Sequence, residues 1–374
     1  MTQETPARIP APPPLKTPTW WREALLRWED LWYGRRTRPL LVLALCALIA
    51  LGGFGLRGLQ RPTVPVAPVA LPGTALPDQG VVPRSEVTAT PAAPPSAVPR
   101  PVMVAPPPGL ILFQSSRESP GAPQLFAAAS DAPEPRRIPG TPRNAANPRL
   151  SPDGTRIAFV GSDGGADDLY TIGLDGAGLR RITNGPGNNR FPAWSPDGQR
   201  LAFGSDRDGN WEIYTIDLAA GNVTRLTNDP ADDNLPSWSP DGQWLAFQSD
   251  RARGMHIYTM RTTGGTANKI TDSNGADRYP VWSPDGRRLA YYSDRDGGRD
   301  QLFAIDADGG HDTRLAISPG KDQLPSWSPD GRWLAFASGR DGAWGIYLLQ
   351  IETGEQRLLV QQPDAWAPNW GASR

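Results

Sequence analysis

Five residues before four regularly spaced tryptophans stand Asn189, Asp233, Asp277 and Asp322; Asp364 lies one position off in a partial fifth copy. A carboxylate repeated at one structural position forms a ring, and such a ring focuses negative potential on a cation or a basic peptide. Asp232 adjoins the series, and Arg190 and Arg278 alternate with it. A plainer reading is that each Asx closes its own loop by bonding to nearby backbone. The candidate partner-binding set is therefore Asn189, Arg190, Asp232, Asp233, Asp277, Arg278, Asp322 and Asp364. Other chemistry is thinly supplied. His256 and His311 fall at different positions of different copies, which argues against a shared metal site. The Asp-Arg-Asp-Gly runs at 206–209 and 294–297 offer two carboxylates each, whereas calcium takes six to eight oxygens. They read as turns. The single Cys rules out an internal disulfide and a cysteine-based zinc site. No catalytic residue, metal or cofactor is expected.

Positioning such a ring requires a regular scaffold, and the chain carries one. Ser-Pro-Asp-Gly occurs at 151–154, 195–198, 239–242, 283–286 and 328–331, at spacings of 44, 44, 44 and 45 residues. Trp194, Trp238, Trp282 and Trp327 precede four copies, and Leu150 precedes the first. A fixed period in the forties marks stacked β-units. Each copy reads as four short strands. The first ends at the Trp, and a Pro-Asp-Gly turn follows. The second is apolar, such as Leu245-Ala246-Phe247, and a polar hairpin leads to the third, such as Ile257-Tyr258. The fourth includes triplets such as Arg181-Ile182-Thr183 and Arg225-Leu226-Thr227. Because the Trp recurs at one position, it reads as core between blades rather than a ligand cage.

The ends complete the count. Ile111-Leu112-Phe113-Gln114-Ser115 matches a second strand, and Leu125-Phe126 and Arg137-Ile138 supply the third and fourth. Ala367-Pro368-Asn369-Trp370 matches a first strand alone. The expected fold is an all-β, six-bladed β-propeller over 109–374, closed by pairing of its two ends, which removes open sheet edges.

The rest of the chain differs in composition. Residues 1–108 carry a net charge of +5 and residues 109–374 a net −6. The acidic larger part argues against nucleic acid as a partner. Residues 39–56 form an uncharged, apolar 18-residue stretch fenced by Arg38 and Arg57, long enough to span a bilayer. No cleavage site follows closely, so it reads as an uncleaved signal anchor. The arginine excess before it places residues 1–38 in the cytoplasm. Within that head, Trp21, Leu25, Trp28 and Trp32 fall on one helical face, as an interfacial anchor would. Residues 57–108 form a linker with 14 Pro from 62 onward. Extended polyproline at roughly 3.1 Å per residue would reach on the order of 140 Å, holding the propeller clear of the membrane.

The repeat Pro-x-Trp-Ser-Pro-Asp-Gly-x-x-Leu-Ala-Phe-x-Ser-Asp-Arg resembles the WD-like propeller repeats of the TolB family. The resemblance covers residues 109–374 and implies a propeller of the cell envelope. TolB itself is a periplasmic protein that works with Pal and carries an α/β domain before its propeller; here an anchor and linker stand in that place. Similar repeats form the propeller of prolyl-oligopeptidase-type peptidases, but the Gly-x-Ser-x-Gly elbow those need does not occur in this chain. The expected function is a membrane-anchored, extracytoplasmic protein-interaction module, monomeric, that docks an envelope protein or peptide and is not an enzyme. The alternative is a receptor or enzyme holding a small ligand or glycan in the channel.

Overall fold

The computed structural model describes residues 105–372 apart from 133, 163 and 363. The expected cytoplasmic head, the membrane span and nearly all of the linker lie outside the described residues. No helix among the described residues is long and apolar enough to cross a membrane.

Among the described residues, twenty-four strands form six four-stranded antiparallel sheets. Blade I comprises β4 (Ala146–Leu150), β5 (Arg156–Gly161), β6 (Asp168–Gly173) and β7 (Arg180–Arg181). Blade II comprises β8 (Asn189–Trp194), β9 (Arg200–Ser205), β10 (Glu212–Asp217) and β11 (Val223–Arg225). Blade III comprises β12 (Asp233–Trp238), β13 (Trp244–Ser249), β14 (His256–Arg261) and β15 (Asn268–Lys269). Blade IV comprises β16 (Asp277–Trp282), β17 (Arg288–Ser293), β18 (Gln301–Asp306) and β19 (Thr313–Arg314). Blade V comprises β20 (Asp322–Trp327), β21 (Trp333–Ser338), β22 (Gly345–Gln350) and β23 (Gln356–Gln361). Blade VI is built from both ends: β24 (Trp366–Ala372) pairs with β1 (Gly109–Ser115), followed by β2 (Gln124–Ala129) and β3 (Arg136–Arg137). The first strands of successive blades adjoin in a closed ring and line the central channel.

The fourth strand is shorter than expected, only two or three residues in five of the blades. Pairing continues past it as single bonds, such as the Ile182 N–H to the Leu169 carbonyl at 2.7 Å. The following Gly- and Pro-containing loop then turns the chain toward the next blade.

Every Ser-Pro-Asp-Gly forms the same turn. The Ser hydroxyl donates to the Asp carboxylate, at 2.5 Å for Ser151–Asp153 and 2.6 Å for Ser283–Asp285. The glycine takes a φ of 67–70° in all five copies, left-handed backbone that a Cβ would strain. Inside each blade an aromatic pair stacks across the second and third strands; ring centroids lie 5.8 Å apart for Phe203–Tyr214 and 6.0 Å for Phe247–Tyr258.

The repeat tryptophans pack between blades, as expected. Trp194, Trp238, Trp327 and Trp370 are all under 9% exposed. The bond each interface makes depends on the residue before the Trp, or before Leu150 in blade I, of the preceding blade. Where that residue is Arg149, Ala193 or Val281, its carbonyl accepts from the indole of Trp194, Trp238 or Trp327, at 3.0, 3.1 and 3.2 Å. Where it is Ser237, Ser326 or Asn369, its side chain accepts from the backbone N–H of Trp282, Trp370 or Leu150 instead, at 3.4, 2.9 and 2.7 Å. The indoles of Trp282 and Trp370 then donate to nothing.

Candidate functional site

Strand direction sorts the loops onto two faces. The chain runs along the first strand to Ser-Pro-Asp-Gly, returns along the second to the polar hairpin, and repeats this through the third and fourth. One face therefore carries the Ser-Pro-Asp-Gly turns and the turns between third and fourth strands. The opposite rim carries the polar hairpins and the loops entering each first strand. All eight candidate residues sit on or beneath that hairpin rim.

Four of the eight do not reach the surface. Asn189, Asp233, Asp277 and Asp322 are each 0% exposed. Their partner is an arginine two residues after the serine that ends each second strand. Arg340 shows the arrangement fully. Its Nε donates to Ser338 Oγ at 2.8 Å, and its Nη2 to both Asp322 oxygens at 3.0 Å. Its guanidinium lies 4.5 Å from the Tyr347 ring centroid, over the aromatic pair. Arg251 does the same with Ser249, Asp233 and Tyr258, and Arg207 with Ser205, Asn189 and Tyr214. Planar stacking, fixed donors and a carboxylate together suit Arg and would not suit Lys. Blade IV departs from this. Arg295 turns to Asp312, and Asp277 takes Ser273 Oγ at 2.8 and 2.9 Å, with His256 Nδ1 at 3.5 Å. Blades I and VI hold alanines there, Ala145 and Ala365, both 0% exposed. Burial raises the Asp233 and Asp322 carboxyls above the ordinary range, against the pull of Arg251, Ser338 and Arg340.

The other four lie at the rim surface. Arg190 pairs with Asp167 at 2.5 Å and lies 5.6 Å from the Trp211 ring centroid. Arg278 lies 3.7 Å from both Asp294 and Asp300. Asp300 is itself buried, which raises its carboxyl, and it accepts from Gln323 Nε2 at 2.5 Å. Asp232 accepts from the Trp211 N–H at 3.0 Å. Asp364 is exposed and accepts from Ser116 Oγ at 2.5 Å. Part-exposed aromatic rings join these charges: Trp211, and Trp344 edge-on to Trp366 with centroids 4.3 Å apart. The rim thus presents interleaved charges and aromatic rings rather than an uncompensated acidic ring.

Below the rim, each first strand breaks register at one residue that precedes a proline. Asn147, Phe191, Leu235, Tyr279, Leu324 and Ala367 all take φ between 51° and 59°. A left-handed non-glycine costs on the order of 1–3 kcal/mol, and here the blade repeats it six times. The bulge re-aims the side chain. In blade IV it carries Tyr279 toward Arg149 of blade I, directly opposite. Arg149 Nη2 donates to the Tyr279 hydroxyl, and the guanidinium sits 5.5 Å from the Tyr279 ring centroid. Two first strands of opposite blades can meet only across the axis, so this pair forms a bar across the channel. Neither residue stands out by spacing; the signal was Arg149 at a position held by Ala193, Ser237, Val281, Ser326 and Asn369 in the other blades.

Among the described residues no group of three or more His, Cys, Asp or Glu is placed to hold a metal ion.

The model of the TolB beta propeller domain family matches residues 146–279 and 271–373, more than half of the chain. The chain belongs to the TolB β-propeller family. Solved structures agree on the fold. TolB from Acinetobacter baumannii is 24% identical with a TM-score of 0.63, covering 71% of this chain and 67% of that one. A putative TolB from Agrobacterium tumefaciens is 24% identical with a TM-score of 0.56, covering 70% and 91%. Kuenenia stuttgartiensis hydrazine synthase is 16% identical with a TM-score of 0.58, covering 71% and 47%. No curated protein matches the chain. Within the TolB family fold, the arginine–Asx hubs are the parts that hold the hairpin rim in place.

Proposed function

We propose that this TolB-family propeller is a protein-interaction module of the cell envelope, held outside the cytoplasmic membrane by residues 39–56 and spaced from it by the Pro-rich linker. A partner docks on the hairpin rim, over Arg190, Asp232, Arg278 and Asp364, with Trp211, Trp344 and Trp366 giving apolar contact. The observation that carries this reading is the Arg149–Tyr279 bar, which turns recognition outward from the channel to the rim. Loops on a rigid scaffold are where binding usually resides, and mixed aromatic and arginine surface suits protein contacts.

The buried Asx residues act through the arginines that shape the hairpins, not by touching the partner. The test is partner capture by crosslinking in intact cells, comparing wild type with Asp232→Asn/Arg278→Gln/Asp364→Asn. These substitutions keep shape and remove three rim charges. The reading expects the same folded protein with weaker, less salt-sensitive capture. An unchanged partner set at every salt concentration would contradict it.

A further inference from the structure

On the turn-bearing face, opposite the proposed docking rim, a cavity of about 300 Å³ opens between blades I and II. Two arginines reach it from different strands of blade I: Arg156 opens β5 and Arg180 opens β7. Each is steadied by a backbone carbonyl of blade II. Arg156 Nη2 donates to Gly198 at 3.3 Å, and Arg180 Nη1 to Leu218 at 3.2 Å. Arg156 is further fixed over Trp194, 4.8 Å from the ring centroid. Among the described residues, neither guanidinium has a carboxylate within ion-pair distance, unlike Arg181, Arg225, Arg251 and Arg340. Asp217 lines the cavity, but its Oδ1 is taken by the N–H groups of Ala219 and Ala220, at 2.9 and 2.7 Å. Within the lining, two guanidinium groups face one carboxylate; Asp153, outside the lining, also feels the Arg156 charge but lies beyond ion-pair distance.

Pseudo-symmetry shows that this pair is particular to one interface. The position of Arg156 is Arg200, Trp244, Arg288, Trp333 and Leu110 in the other blades. The position of Arg180 is Thr224, Asn268 and Thr313 in blades II to IV; it is Arg357 in blade V, where Trp333 replaces the first arginine, and Arg136 in blade VI, where Leu110 does. The turn itself does not need Arg180, since three blades form it with a neutral residue. Beside Arg180, Leu179 is 48% exposed, and Leu218 forms an apolar part of the wall.

We infer that this cavity binds a carboxylate of an acidic peptide segment, gripped by Arg156 and Arg180, with an aliphatic neighbour of that carboxylate lying on Leu179. Guanidinium groups with free donors match carboxylate geometry and bond it more strongly than a neutral donor would. The exposed leucine beside them favours a peptide side chain over a bare inorganic anion. The site stands apart from the docking rim, so it neither needs nor tests that reading.

The test measures fluorescence anisotropy of a labelled peptide of alternating Glu and Leu on the full-length solubilised chain. Its arms are the Gln/Leu peptide, inorganic phosphate as competitor, and the variant Arg180→Thr, the residue found in blades II and IV. The inference expects binding that weakens with salt. It further expects roughly tenfold loss in Arg180→Thr, equivalent to about 1.4 kcal/mol, and a similar loss for the Gln/Leu peptide. Equal binding of the Gln/Leu peptide, or no loss in a folded Arg180→Thr, would overturn it. Phosphate binding as tightly as the peptide would also overturn it, since the site would then be one for free anions.

Discussion

At the scale of single residues, the arginine–Asx pairs carry the sharpest expectations. Removing one partner of a buried pair costs about 3–5 kcal/mol, because a charge is left uncompensated. The two halves should not cost the same. Without Asp322, Arg340 still stacks on Tyr347 and can reach water, since its side chain is 13% exposed. Without Arg340, Asp322 stays fully buried with no counter-charge. Arg340→Met should therefore lower the urea midpoint more than Asp322→Asn at neutral pH. The pH dependence follows in sign. Burial already raises the folded-state Asp322 carboxyl above its unfolded value, and loss of Arg340 raises it further. A raised folded-state value favours the native state most below the unfolded value and loses that contribution as pH rises through the folded one. The extra instability of Arg340→Met should accordingly shrink between pH 7 and pH 4, and a deficit that stays constant would count against the hub. The turn aspartates behave oppositely. Ser151 and then Thr155 hold Asp153 down to about 2 from an ordinary 3.8. Its contribution is present above pH 3.8 and fades as pH falls toward 2, so Asp153→Asn should flatten the acid limb of the stability curve.

At the scale of the elements, the interface tryptophans split into two kinds. Trp238 donates to the Ala193 carbonyl, whereas the Trp370 indole N–H is buried without an acceptor. Phe in either place removes bulk. At 238 it also breaks a hydrogen bond; at 370 it removes an unsatisfied donor. Trp238→Phe should therefore cost about 1–2 kcal/mol more than Trp370→Phe in matched denaturant melts. Equal costs would mean that the two interfaces are alike. The period of Ser-Pro-Asp-Gly made the blades legible in the sequence, and the Trp before it made the interfaces legible, because both repeat. Other features did not announce themselves. Spacing placed Asn189, Asp233, Asp277 and Asp322 at one structural position, but could not say whether they faced solvent or the sheet interior. The answer lay in Arg207, Arg251 and Arg340, which read as ordinary hairpin residues until the Phe–Tyr stack beneath them is seen. The Arg149–Tyr279 contact joins single residues of opposite blades, so no periodicity could reveal it.

At the scale of the whole molecule, closure and the barred channel set what the propeller can do. β24 pairs with β1 through Gly109–Ala372, Ile111–Trp370 and Gln114–Trp366, as the matching ends of the sequence predicted. Deleting 365–374 removes that strand and Trp370, a core side chain worth about 3–5 kcal/mol by itself. A truncated propeller that melts with wild type would refute closure by the ends. With the Arg149–Tyr279 contact across the axis, envelope-partner docking is proposed on the hairpin rim, and one measurement asks this directly. A photo-crosslinking amino acid is placed in the full chain at Ala343, exposed on the rim of blade V, or at Glu352, exposed on the opposite face of the same blade. Both are irradiated in intact cells. The account predicts a discrete crosslinked partner from Ala343 and none from Glu352; the same partner from Glu352 with none from Ala343 would contradict it.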